Sequence, residues 1–142
     1  MDDKPENRLR TPPRERFSGE TKVYDTLRIF DQLAGEEHDG VAGHRQITLF
    51  KSGTSTIVAF LFDEGSVLPE HRADGVATLH VLDGRLEVTT PDNRHEVGGD
   101  GLLVLRPKVP HEVRAMERTK MILTVHLHAG EPASSDASVD AQ

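Results

Sequence analysis

Thr78-Leu79-His80-Val81-Leu82-Asp83-Gly84-Arg85-Leu86-Glu87-Val88-Thr89 carries alternating or β-branched apolar residues on both sides of an Asp-Gly pair. Period-two alternation puts every second side chain on one face of an extended strand. Asp-Gly between two such runs has the chemistry of a two-residue type I′ turn, in which both central residues need positive φ. The stretch is read as a β-hairpin, and it sets the class: a sheet protein made of short antiparallel strands.

The same pattern recurs outward from this hairpin. Ile47 to Lys51, Thr56 to Phe62, Val67 to His71, Val76 to Leu82, Arg85 to Thr90, Leu102 to Leu105, Glu112 to Arg114 and Met121 to Leu127 are short β-branched or alternating runs. Between them stand Gly53, Asp63-Glu64-Gly65, Asp74-Gly75, Pro91-Asp92-Asn93, Gly98-Gly99-Asp100-Gly101 and Pro107-Lys108-Val109-Pro110. Strands this short with turn residues at this spacing predict an all-β sandwich or barrel. One segment has a different period: Tyr24, Leu27, Ile29 or Phe30, and Leu33 fall at helical spacing and end at Gly35, which predicts one short helix.

Residues 1 to 22 mix charges of both signs with Pro5, Pro12 and Pro13, and residues 129 to 142 are mostly Ala, Ser and Asp. Both ends are expected to be disordered tails flanking one domain over residues 23 to 128. Within that domain Thr56 to Phe62 is apolar on both faces, so one face packs the core and the other must be covered. The expected cover is a second copy of the chain, in a homodimer.

Composition narrows the function. The 142 residues carry a formal net charge of -7, with Lys plus Arg 17 against Asp plus Glu 24, which argues against a nucleic-acid partner. Aromatics are 4% of the chain, with no Trp and a single Tyr, so stacking platforms for bases or sugars are not expected. The longest apolar run, Ile57 to Phe62, is far short of the roughly 20 residues that span a bilayer, and no secretory signal is read at the N-terminus. A cytoplasmic protein with no membrane partner is expected. There is no Cys, and Gly-x-Ser-x-Gly, Walker-type and His-Glu-x-x-His motifs are absent, which removes thiol, serine-hydrolase, nucleotide-hydrolase and zincin chemistry.

Histidine is the residue type that stands out, at 8 in the chain. Imidazole is the commonest metal ligand and the usual acid or base near neutral pH. His71 and His111 each sit where a strand meets a rigid turn, positions from which side chains converge inside a closed sheet. His38, His44 and His95 lie among polar residues and are read as surface loop histidines; His126 and His128 share a strand face next to the tail and are read as solvated.

From about Arg45 to Leu127 the sequence resembles the cupin superfamily, a small jelly-roll β-barrel. Its first motif is Gly, five residues, His-x-His, three or four residues, Glu, six residues, Gly; Gly65, His71, Ala73, Ala77 and Gly84 occupy those slots. In the second motif, anchored on His111, Arg106 stands at the Pro, Lys108 at the Gly and Ala115 at the Asn. The resemblance implies a cupin barrel whose metal site, normally three His and one Glu, keeps only His71 and His111 in register.

Two functions follow as expectations. The leading one is a small-molecule binding domain, with His71 and His111 at the floor or rim of an apolar pocket and Arg106 offering positive charge at its mouth. The alternative implied by the resemblance is a metal-dependent enzyme of dioxygenase or isomerase type, with a divalent Zn, Fe, Mn or Ni on His71, His111 and His80. Counting by twos from Ala77 sends His80 outward unless a bulge resets the strand. A metal-free isomerase with a histidine base and a regulatory partner protein remain as further classes.

Overall fold

The structure, a computed structural model, describes residue 17, residues 19 to 36 and residues 43 to 127. Most of both expected tails, His38 and His128 lie outside the described residues. In chain order the elements are helix α1 (Thr26–Gly35) and strands β1 (His44–Ser52), β2 (Ser55–Phe62), β3 (Val67–His71), β4 (Gly75–Asp83), β5 (Arg85–Thr89), β6 (Arg94–Gly98), β7 (Leu102–Leu105), β8 (His111–Ala115) and β9 (Thr119–Leu127). They form two antiparallel sheets, ordered β1-β2-β9-β4-β7 and β3-β8-β5-β6, which face each other as a jelly roll.

Alternation fills the space between the sheets. Val58, Phe60 and Phe62 of β2, Ala77, Leu79 and Val81 of β4, and Leu86, Val88, Val97, Leu105, Val113, Ala115 and Met121 form one buried cluster. The opposite faces of β1 and β2 present Ile47, Leu49, Ala59 and Leu61, and these pack with Ile29, Phe30 and Leu33 of α1 in a second cluster outside the barrel. Asp25 caps the helix, its side chain accepting from the Arg28 N–H at 3.2 Å. At the other end Arg45 donates to the carbonyls of Leu33, Ala34 and Glu36 at 3.0 to 3.2 Å and to the Asp63 carboxylate at 3.1 Å. One guanidinium thus serves two of the helix's last four carbonyls and that of the cap residue, and ties the helix to the turn after β2.

That helix corrects the reading of β2. Its second apolar face is covered by α1 from the same chain, so its apolarity needs no second copy to explain it. The Asp83-Gly84 hairpin is also corrected. Gly84 does adopt a positive φ of 102°, but β4 pairs with β7 and β9, and β5 with β6 and β8. Asp83-Gly84 carries the chain from one sheet to the other. Turn chemistry is local and specifies only the bend, whereas β9 pairs with β4 from Gly75↔Leu127 to Asp83↔Lys120 and takes the edge that a hairpin partner would need.

Two loop assignments change as well. His95 lies on β6, a strand the sequence reading passed over, and is paired with the buried Val88 of β5. His44 opens β1, with its ring 5.6 Å from that of Phe60 and 5.7 Å from that of Phe62. Both are half-buried strand residues. Phe17, inside the stretch expected to be tail, stands edge-on to Phe50 at 6.2 Å. Among the described residues no helix is long and apolar enough to cross a membrane.

Candidate functional site

β3 and β8 bring the two motif histidines together through an irregularity. The strands pair as Val67↔Arg114, Leu68↔Val113 and His71↔His111, with a register shift between Leu68 and His71. Leu68 packs against the barrel core, so strict alternation would turn His71 outward. The shift at Pro69-Glu70 resets the phase and sets His71 opposite His111. On β8 the alternation is regular: His111, Val113 and Ala115 are buried, Glu112 and Arg114 exposed.

The ring centroids of His71 and His111 are 4.3 Å apart, with planes tilted by 59°. Each ring is held the same way. His71 Nδ1 lies 2.9 Å from the carbonyl oxygen of Pro69, and His111 Nδ1 lies 3.0 Å from that of Val109. A carbonyl oxygen only accepts, so Nδ1 carries a proton in both rings, and in a neutral ring the lone pair is then on Nε2. His71 is exposed, whereas His111 retains 4% of its surface. Burial lowers the pKa of His111 below 6.5; the hydrogen bond to Val109 opposes this and the neighbouring His71 adds to it.

A second contact closes the barrel end around the pair. The Lys108 N–H donates to the Ala73 carbonyl at 2.7 Å, pinning the β7–β8 turn against the β3–β4 turn that follows His71. Lys108 takes a left-handed φ of 68°, the conformation that the motif's Gly would adopt without strain at the same slot. Ala77, in the motif's Glu slot, is buried and pairs with Leu105 and Val125.

Of the residues singled out by sequence, His71 and His111 meet and the others do not join them. Arg106 precedes the pinned turn with an exposed side chain. His80 pairs with Ile122 and Leu102, on the face of β4 opposite to the buried Ala77, Leu79 and Val81. Among the described residues no group of three His, Cys, Asp or Glu could hold a metal ion. Two imidazoles beside Ala73 and Ala77 do not fit the donor set that a Zn or non-haem Fe site requires. Sequence reasoning missed the carbonyls of Pro69 and Val109, which orient the rings. Their signal was present: each lies two residues before its histidine, with a proline in or beside the same step.

No protein-family model and no curated protein matches the chain. Solved structures do. A cupin superfamily protein from Desulfitobacterium hafniense aligns with a TM-score of 0.62 at 18% identity, over 79% of this chain and 95% of that one. A conserved protein of unknown function from Streptococcus pyogenes aligns with a TM-score of 0.61 at 23% identity, over 78% of this chain and 90% of that one. An RmlC-like cupin from Desulfovibrio desulfuricans aligns with a TM-score of 0.60 at 24% identity, over 75% and 97% respectively.

Proposed function

This chain has the cupin jelly-roll fold, and on that premise we propose that it is a small-molecule binding domain whose ligand contacts His71 and His111 at one end of the barrel. The observation that carries the reading is the pair itself. A strand irregularity, two backbone carbonyls and a left-handed Lys108 set two imidazoles side by side, tilted by 59°, with both Nε2 atoms unengaged among the described residues. Oriented polar groups at the edge of an apolar interior are the usual makings of a ligand site.

The middle of the barrel limits the ligand's size. Phe62, Leu79, Val81, Leu86, Val88 and Val113 are almost fully buried there, so the ligand occupies the histidine end and not the barrel's length. Ala73 and Ala77 stand where a metal-binding barrel would place donors, and neither brings a polar side chain to the pair.

The reading is tested by titrating a general fragment library while following the imidazole resonances of His71 and His111 by NMR. Fragments that move both resonances, and whose thermal stabilisation vanishes in His71→Ala and His111→Ala, are the expected result. A library that moves neither resonance, or stabilisation that survives both substitutions, removes the reading.

A further inference from the structure

Resting on that ligand-binding reading, we propose that the site selects a neutral molecule with a small aliphatic body and two adjacent hydrogen-bond donors, of the vicinal diol class, one donor to each Nε2. The first support is tautomeric. Both Nδ1 atoms are committed to carbonyl oxygens, at 2.9 and 3.0 Å, so in their neutral form the rings offer a ligand two acceptors and no donor.

The second support is access. His111 is nearly buried, yet its Nε2 carries no hydrogen bond among the described residues and is not sealed from solvent. The little surface that His111 keeps therefore includes Nε2. With ring centroids at 4.3 Å, one molecule bearing hydroxyls on neighbouring carbons can reach both nitrogens.

The third support is the wall. Ala77, Leu105 and Val125 form one cross-strand row at this end of the barrel, and Val109 packs against the same cluster. These groups are aliphatic and uncharged, so they favour a body of the same kind. A carboxylate or phosphate would bring acceptors to two lone pairs. Binding one would require an additional proton, and on His111 that charge would sit in a buried position beside a second imidazole. Arg72, Arg106 and Lys108, exposed in the turns at this end, are the groups that would favour an anion, and the test must set them against the pair.

The experiment uses the full chain and three matched probes: trans-1,2-cyclohexanediol, its dimethyl ether and cyclohexanecarboxylate. At pH 7.5 the diol is expected to move both imidazole resonances and to bind about tenfold or more tighter than the ether, the worth of two net hydrogen bonds. Long-range 1H–15N correlation is expected to show both rings protonated at Nδ1. Equal binding of diol and ether, tighter binding of the carboxylate, or no response to the diol each overturns the proposed class. Those failures differ from failure of the parent reading, which would appear as silence across the whole fragment library.

Discussion

His71 and His111 stand 4.3 Å apart, each with its Nδ1 on the carbonyl two residues before it, but one ring is exposed and the other is 4% exposed. The pair is symmetric in hydrogen bonding and asymmetric in burial. Replacing the two should therefore cost different amounts. His111→Ala leaves a cavity and an unpaired Val109 carbonyl and is expected to destabilise by about 2 kcal/mol. His71→Ala, at the surface, is expected to cost less than about 1 kcal/mol. Urea unfolding of the two variants measures this, and equal losses would contradict the burial described.

The same asymmetry gives a pH dependence. The folded pKa of His111 lies below its ordinary value of 6.5, so between the two the unfolded chain binds more protons than the folded one. Stability from this group is fully present above about pH 6.5 and declines as pH falls toward the lowered folded value. The midpoint of thermal unfolding is expected to fall on acidification from pH 7.5 to 5.5, with a smaller slope in His111→Asn. A wild-type profile that rises on acidification, or one unaffected by the substitution, would be the contrary result.

A donor set of two imidazoles predicts weak metal retention. Protein purified without chelator is expected to carry well under one equivalent of Zn, Fe, Mn or Ni by elemental mass spectrometry. Near-stoichiometric metal, lost in both His71→Ala and His111→Ala, would require a third ligand and would restore the metal-dependent reading.

Gly84 tests the sheet-to-sheet crossing. A Cβ there would stand 2.4 Å from the Arg118 carbonyl oxygen and from Thr119 Oγ1, and φ is 102°. Thr119 is fully buried, and its hydroxyl oxygen accepts from the Arg85 N–H at 3.0 Å, so neither neighbour can give way. Gly84→Ala is expected to cost about 3 kcal/mol or more. Gly53 also has a positive φ, of 53°, but a Cβ there meets nothing within 4 Å, and Gly53→Ala is expected to cost about 1 kcal/mol. In an isolated hairpin turn Gly84 would resemble Gly53, so the difference reports the crossing.

Gly84 also marks the limit of what the sequence discloses. Every strand but β6, the helix and the barrel were legible because burial on one face writes itself as period two or 3.6; β6 buries only Val97 and so leaves no such pattern. Which strands pair was not, because Asp-Gly specifies a bend whether the next strand lies beside or across the core. The cover of β2 was illegible for a related reason: an apolar face records that something packs on it, and α1 is as good a cover as a second chain. At the site, His71 and His111 were found from their motif slots. The shift that sets His71 opposite His111 has no periodic signature, and Pro69 is its only local trace.

Lys108 offers the last test, because it joins fold to site. Its φ of 68° is costly for any residue with a Cβ, and its N–H holds the Ala73 carbonyl at 2.7 Å beside the histidine pair. Lys108→Gly keeps the donor and relieves the strain, so it is expected to stabilise by about 1 kcal/mol. The His111 resonances should stay in place. Lys108→Pro removes the donor and cannot take a positive φ, so it should destabilise by about 3 kcal/mol. It should also shift the His111 imidazole, because Val109 follows Lys108 and its carbonyl orients that ring. Denaturant unfolding with imidazole NMR on both variants reads the two effects separately. A Lys108→Pro variant that is destabilised but leaves the His111 resonances unmoved would mean that the turn supports the barrel and not the orientation of the pair.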